Sequence, residues 1–213
     1  MQKYKVLIDI YNDIKSEIEN RISQFRDIWA NMDEEFLFGE LVFCLMTPQS
    51  KAKSASLALQ ILKSTNLLFK GSASEIADKI NLVRFKNNKA RYIVKCRTQF
   101  CIDGKINIRN FLTQKTAYDM REYLVKNVTG IGYKEASHFL RNIGLSENLA
   151  ILDRHIIKNM RLFNVLDERF DSVTPKNYKE IEKIFLRFSK ELRIPPNHLD
   201  FVLWYKEAGE VFK

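Results

Sequence analysis

The chain has 213 residues, 46% of them hydrophobic and 29% charged, an ordinary globular composition that supports one large domain or two small ones. Lys and Arg outnumber Asp and Glu by 35 to 26, for a net charge of +9 and a pI near 9.4; this favours a polyanionic partner without separating DNA, RNA and acidic membranes. The stretch Met1-Gln2-Lys3-Tyr4-Lys5 lacks the apolar run of a signal peptide, and no window is long enough to span a bilayer, so a cytoplasmic protein is expected.

In chain order, apolar residues at three- and four-residue spacing predict a helix from about Tyr4 to Trp29. A second, Asp33 to Met46, is so apolar through Phe36-Leu37-Phe38 and Leu41-Val42-Phe43 that it belongs at the centre of the fold. Thr47-Pro48-Gln49 ends it. Helices follow over about Lys51 to Lys63, after the cap signal Ser74-Glu75-Ile76-Ala77, and from Asn88 to Phe100. Cys101 to Arg109, with Asp103-Gly104, reads as a connecting loop. From Thr116 another helix places Ala117, Met120, Leu124 and Val128 on one face. With 7 Gly and 4 Pro in the chain and no competing strand alternation, an all-α fold is expected. Cys44, Cys96 and Cys101 form no CxxC pair and are odd in number, so they are read as reduced core residues rather than a disulfide framework or zinc site.

The helix from Thr116 runs into Val128-Thr129-Gly130-Ile131-Gly132-Tyr133-Lys134, and a further helix carries Ala136, Phe139, Leu140 and Ile143 on one face. The pattern is helix, Gly-x-Gly hairpin, helix. Glycines permit unusual backbone angles and close approach, and free N–H groups at the second helix's start suit a DNA phosphate. By itself a Gly-x-Gly turn is more often plain punctuation. Lys134 falls in the first turn of its helix, where the macrodipole disfavours a cation and a purely structural residue would be Asp or Glu; it reads either as a nucleophilic amine or as a solvated phosphate contact. Asp153 precedes Ile156, Ile157 and Met160, the apolar face of a new helix, and so reads as an N-cap. A cap carboxylate can also face a cationic transition state.

Gly130 to Gly144, with Ala150-Ile151-Leu152-Asp153-Arg154-His155, resembles the helix-hairpin-helix DNA glycosylase superfamily, and within it the archaeal-type 8-oxoguanine DNA glycosylases. The likeness continues, less tightly, over Leu45 to Ser50, Val83 to Ala90 and the end of the chain. The interval of 19 residues between Lys134 and Asp153 matches the bifunctional members. The resemblance implies that a damaged nucleotide is flipped from the duplex, that Lys134 attacks C1′ while Asp153 stabilises the developing cation, and that a Schiff base then permits β-elimination. It implies that a C-terminal lysine, here Lys213, offers its carboxylate to the oxidised purine, with Trp204, nine residues earlier, in the pocket. Asp200 is read as a pocket-orienting or solvated residue. Phe85 and Gln49 are candidates for filling the gap left by the flipped base.

Gly130, Ile131 and Gly132 are the expected phosphate-binding hairpin. Arg84, Lys86, Lys89, Arg91, Arg154 and Lys158 are candidate phosphate contacts. No cofactor is required by this chemistry; the resemblance implies a structural monovalent cation on the backbone carbonyls of Asn127, Thr129 and Ile131. The expected architecture is two helical lobes flanking a DNA-binding cleft, one of about 1–114 plus 181–213 and the other about 115–180. The expected partner is double-stranded DNA containing 8-oxoguanine, bound by a monomer on nucleoid DNA, with no membrane. Two alternatives stand beside this reading. One is a noncatalytic helix-hairpin-helix DNA-binding module; the other is a glycosylase for oxidised pyrimidines of the endonuclease III branch, disfavoured because no cysteine follows Cys101 to hold an iron–sulfur cluster.

Overall fold

The computed structural model describes residues 2–146 and 148–211. After a 3-10 turn at Gln2–Tyr4, α1 (Lys5–Asn31) buries Leu7, Ile14, Ile18, Ile22 and Phe25, a single stripe along a long amphipathic helix. α2 (Glu34–Met46) is capped by Asp33, which accepts the Phe36 N–H at 2.7 Å, and it buries every residue from Leu37 to Met46. It is the central helix that its composition predicts.

α3 (Ala52–Ser64), α4 (Leu67–Lys70), α5 (Ala73–Lys79) and α6 (Lys86–Phe100) pack around it. The cap of α5 is Ser72, two residues before the expected Ser74: Ser72 Oγ accepts the Glu75 N–H, and Glu75 Oε2 accepts the Ser72 N–H at 2.8 Å. The segment read as a loop after Phe100 folds into a two-stranded antiparallel hairpin, β1 (Cys101–Ile102) and β2 (Lys105–Ile106), with Cys101 opposite Ile106. Strands of two residues carry too little alternation to be read from sequence. Cys101 is exposed on this hairpin, while Cys44 and Cys96 are buried, which corrects the expectation that all three lie in the core.

α7 (Arg109–Leu112) leads to α8 (Ala117–Asn127), capped by Thr116. The hairpin follows, then α9 (Tyr133–Asn142), α10 (Arg154–Leu162), α11 (Tyr178–Leu192) and α12 (Pro196–Ala208). Among the described residues no helix is long and apolar enough to cross a membrane.

Two hydrophobic cores form. One gathers Leu37 to Leu149, from α2 through α9; the other joins α1 to the segment from Ala150 to Val211. This corrects the expected division at 114 and 180. α9 packs on α2 and α8 packs on α9, joining both to the first core, and α1 packs along α12. The linker between the cores turns at Gly144, with φ +76°, where an added Cβ would lie 2.6 Å from the Arg26 Cα of α1. Only glycine permits both that angle and that approach. Two buried ion pairs bridge the cores: Arg121 of α8 with Glu182 of α11, and Arg141 of α9 with Asp200 of α12.

Candidate active site

The hairpin residues 128–132 join α8 to α9. Gly130 has φ +92°, and an added Cβ would lie 2.4 Å from the ring of Tyr92 on α6. Gly132 has an ordinary extended backbone (φ −101°, ψ −176°), so of the two hairpin glycines Gly130 is the one that the turn demands. Ile131 is buried, and its N–H closes the turn on the Val128 carbonyl at 3.2 Å. Gly132 caps α9: its carbonyl accepts the Ala136 N–H, and its own N–H donates to Glu135 Oε2 at 3.3 Å.

Lys134 is half-buried in the first turn of α9. Asp153 caps α10, with Oδ1 accepting the N–H groups of His155 at 2.8 Å and Ile156 at 3.0 Å. Both bonds fall on one carboxylate oxygen; Oδ2 has no hydrogen-bond partner among the described residues. The cap thus fixes the carboxylate rigidly and leaves an oxygen for other work. Two helix N-termini, each with outward N–H groups and a positive dipole end, carry the two residues.

Asp200 on α12 is in the same electrostatic neighbourhood. Burial pushes its carboxyl up to about 6, the Asp153 charge pushes the same way, and Arg141 and Lys134 oppose both. Asp200 is buried against the Arg141 guanidinium, so the solvated reading does not hold. Arg141 lies between the rings of Phe25 and Phe201, at 5.7 and 4.7 Å. One turn beyond Asp200, Trp204 meets the ring of His155 edge-on at 4.8 Å. Asp153, His155, Asp200 and Trp204 therefore belong to one wall built by α10 and α12. Lys213 lies outside the described residues.

The other candidates gather on two loops. Gln49 (φ 54°) and Phe85 (φ 58°) are both left-handed and exposed, and the Arg84 guanidinium lies 5.5 Å from the Phe85 ring. The loops are tied together by Ser50, whose Oγ accepts the Arg84 N–H at 2.9 Å, and by Lys89. Lys89 Nζ donates to the Met46 carbonyl (2.7 Å), the Pro48 carbonyl (2.8 Å) and Ser50 Oγ (2.9 Å). It is 4% exposed, which corrects its reading as a phosphate contact: the ammonium is consumed inside the protein, where burial pushes it down to about 8. α6 carries both the Phe85 loop at its start and Tyr92 against Gly130, so that loop and the hairpin share one scaffold.

Arg84, Arg91 and Arg154 are exposed and Lys86 half-buried. Lys158 pairs with Glu207 at 2.5 Å, which offsets its charge. A shallow depression of about 490 Å³ lined by Tyr118, Lys190, Arg193 and Pro195 includes none of the candidate residues. Sequence reasoning missed Arg141, Arg121 and Glu182. For Arg121 a signal existed: it lies on the stripe Ala117, Arg121, Leu124, Val128, a charge set among apolar residues of one helix face.

The family model described as 8-oxoguanine DNA glycosylase matches residues 18–194. The 8-oxoguanine DNA glycosylase/AP lyase of Fusobacterium nucleatum is 45% identical over 205 residues, covering 96% of this chain and 94% of the relative. The 8-oxoguanine glycosylase/lyase of Methanocaldococcus jannaschii, solved with a 15mer DNA containing 8-oxoguanine, superposes with a TM-score of 0.88 at 33% identity, covering 100% of both chains. The 8-oxoguanine DNA glycosylase of Thermotoga maritima gives 0.86 at 31% identity, covering 98% of this chain and 97% of that one. With the family model matching most of its length and a relative 45% identical across nearly all of it, the chain belongs to the 8-oxoguanine DNA glycosylase family.

Proposed function

We propose that this chain excises 8-oxoguanine from double-stranded DNA and then cleaves the strand, with Lys134 as nucleophile and Asp153 as the assisting carboxylate. The observation that carries the assignment is the pairing of a half-buried lysine at one helix N-terminus with a carboxylate locked through a single oxygen at the next. Phe85 and Gln49 occupy the space vacated when the nucleotide swings out. Trp204 packs against the extruded base, the terminal carboxylate of Lys213 accepts the N7–H that distinguishes 8-oxoguanine from guanine, and Arg84, Lys86 and Arg154 contact phosphates.

The neutral amine of Lys134 forms a bond to C1′ as the glycosidic bond breaks, and the electron pair leaves with the base. Asp153 stabilises the positive charge that develops on the sugar. Ring opening gives a Schiff base between Lys134 and C1′; loss of a C2′ proton then expels the 3′ phosphate. A monovalent cation would sit on the carbonyls of Asn127, Thr129 and Ile131 and stiffen the hairpin; the turn's own hydrogen bonds fall instead on Val128 and Gly132. The protein works as a monomer on nucleoid DNA in the cytoplasm, since one cleft serves one duplex.

The test is borohydride reduction of the protein mixed with a duplex carrying one 8-oxoguanine. A covalent adduct absent from Lys134→Gln is the expected result. Base release retained by that variant overturns the nucleophile; an adduct at abasic DNA alone leaves the lyase and overturns the choice of base.

A further inference from the structure

Tyr178, the first residue of α11, is 2% exposed and touches the chain on both sides of the site. Its hydroxyl donates to the Ala150 carbonyl at 2.7 Å and accepts the Leu152 N–H at 3.3 Å. One phenol thereby clamps two main-chain groups within three residues of Asp153. Its ring stacks on Tyr133, with centroids 5.2 Å apart and planes 25° apart, and Tyr133 immediately precedes Lys134. Tyr133 is anchored in turn by donating to Glu122 Oε2 at 3.0 Å.

The surroundings make this contact stiff. Arg121 lies 5.6 Å from the Tyr178 ring and 5.4 Å from the Tyr133 ring, and it grips Glu182, whose Oε1 also accepts the Ala150 N–H at 2.9 Å. Burial pushes the phenol above its ordinary range, so it stays protonated and remains a donor to Ala150. The unit joins α8, α9 and α11 to the linker that ends in Asp153.

We propose that Tyr178 is a positioning residue that sets the separation of the Lys134 amine from the Asp153 carboxylate. The inference rests on the roles given to those two residues above. Lys134 is carried by α9, which buries Ala136, Phe139 and Leu140 in the first core, and Asp153 caps α10, which buries Ile156, Ile157 and Met160 in the second, so their spacing depends on what spans the cores near them. Attack at C1′ needs both groups at one carbon, and a displacement near 1 Å costs on the order of 100-fold in rate.

Tyr178→Phe keeps the ring and its stack but releases Ala150 and Leu152. The measurement is single-turnover excision of 8-oxoguanine, with the trapped fraction counting active molecules and anisotropy reporting duplex binding. The expected result is a rate constant per active molecule about 10- to 100-fold lower with the duplex Kd unchanged; a purely structural residue would lower the active fraction and leave that rate constant alone. A wild-type rate constant overturns the proposal.

Should Tyr178→Phe fail to fold, Tyr133→Leu removes the stack from the half-buried side, with the same drop expected and most of the rate restored in Tyr133→Phe. A wild-type rate in Tyr133→Leu counts equally against the proposal. Lys134→Gln run in parallel separates the two failures. If it is inactive while Tyr178→Phe is normal, the positioning role alone falls; if it still releases base, the nucleophile assignment falls and takes this inference with it.

Discussion

Glu182→Leu strands the guanidinium of Arg121, a side chain with 0% exposure that donates to Glu182 through two bonds of 2.5 and 2.7 Å and would keep only a longer one of 3.3 Å to Ser137 Oγ. Removing one partner of a buried ion pair costs about 3–5 kcal/mol, because the remaining charge stays desolvated. The Ala150 N–H loses its acceptor as well. Against this, the rings of Tyr118, Tyr133 and Tyr178 lie 5.4–5.6 Å from the guanidinium and offset roughly 1–2 kcal/mol through cation–π attraction, which puts the expected loss near the lower end, about 3 kcal/mol. For a chain of this length that is a fall in Tm of roughly 6–12 °C.

Urea and thermal unfolding of the DNA-free protein, followed by circular dichroism, measure the loss. Adding Arg121→Met removes the stranded charge and leaves mainly the unpaired Ala150 N–H, about 1–3 kcal/mol, so the double variant should be the more stable of the two. A single variant within about 1 kcal/mol of the parent, or a double variant less stable than Glu182→Leu, would refute the argument that the pair is held by mutual compensation.

Lys89→Met exchanges three hydrogen bonds for relief from burying an ammonium, so urea titration should show a loss under about 2 kcal/mol while single-turnover excision slows, because the Gln49 and Phe85 loops come apart; unchanged excision would remove Lys89 from loop positioning. Gly130→Ala forces a side chain into positive φ and onto Tyr92, and anisotropy with an undamaged duplex should show binding weakened roughly tenfold through a displaced hairpin; wild-type affinity would mean that the hairpin is not the phosphate site. Asp200 is raised from 3.8 to about 6 in the folded chain, so between those values the folded state binds more protons than the unfolded one and stability contributed by this group falls as pH rises. The stability difference between wild type and Asp200→Asn should decline across that window, and a difference independent of pH would show that the carboxyl does not titrate there.

Much of this was legible in the sequence because it is local. Asp153 as a cap, the demanding angle at Gly130 and the central place of α2 each follow from residues within one or two turns of each other. The buried pair Arg121–Glu182 was legible in principle: each residue occupies an apolar stripe of its own helix, Glu182 between Tyr178 and Phe185, and two opposite charges so placed have reason to meet. Lys89 was not legible. Its three acceptors lie 39 to 43 residues earlier, and nothing near Lys89 tells a buried ammonium from an exposed one. The lobe boundary failed for a related reason, since a stripe such as Leu7, Ile14, Ile18, Ile22 declares that a face is covered without saying by what.

The union of α1 with α12 bears on how the protein is made. The ribosome releases α1 well before α12, so the apolar stripe of α1 from Leu7 to Phe25 waits uncovered while residues 37–149 emerge with the buried residues of the first core. A nascent chain at that stage already carries Lys134 but not the wall of α10 and α12 around Asp153. The second core therefore comes into being only once α12 has emerged and closed on α1.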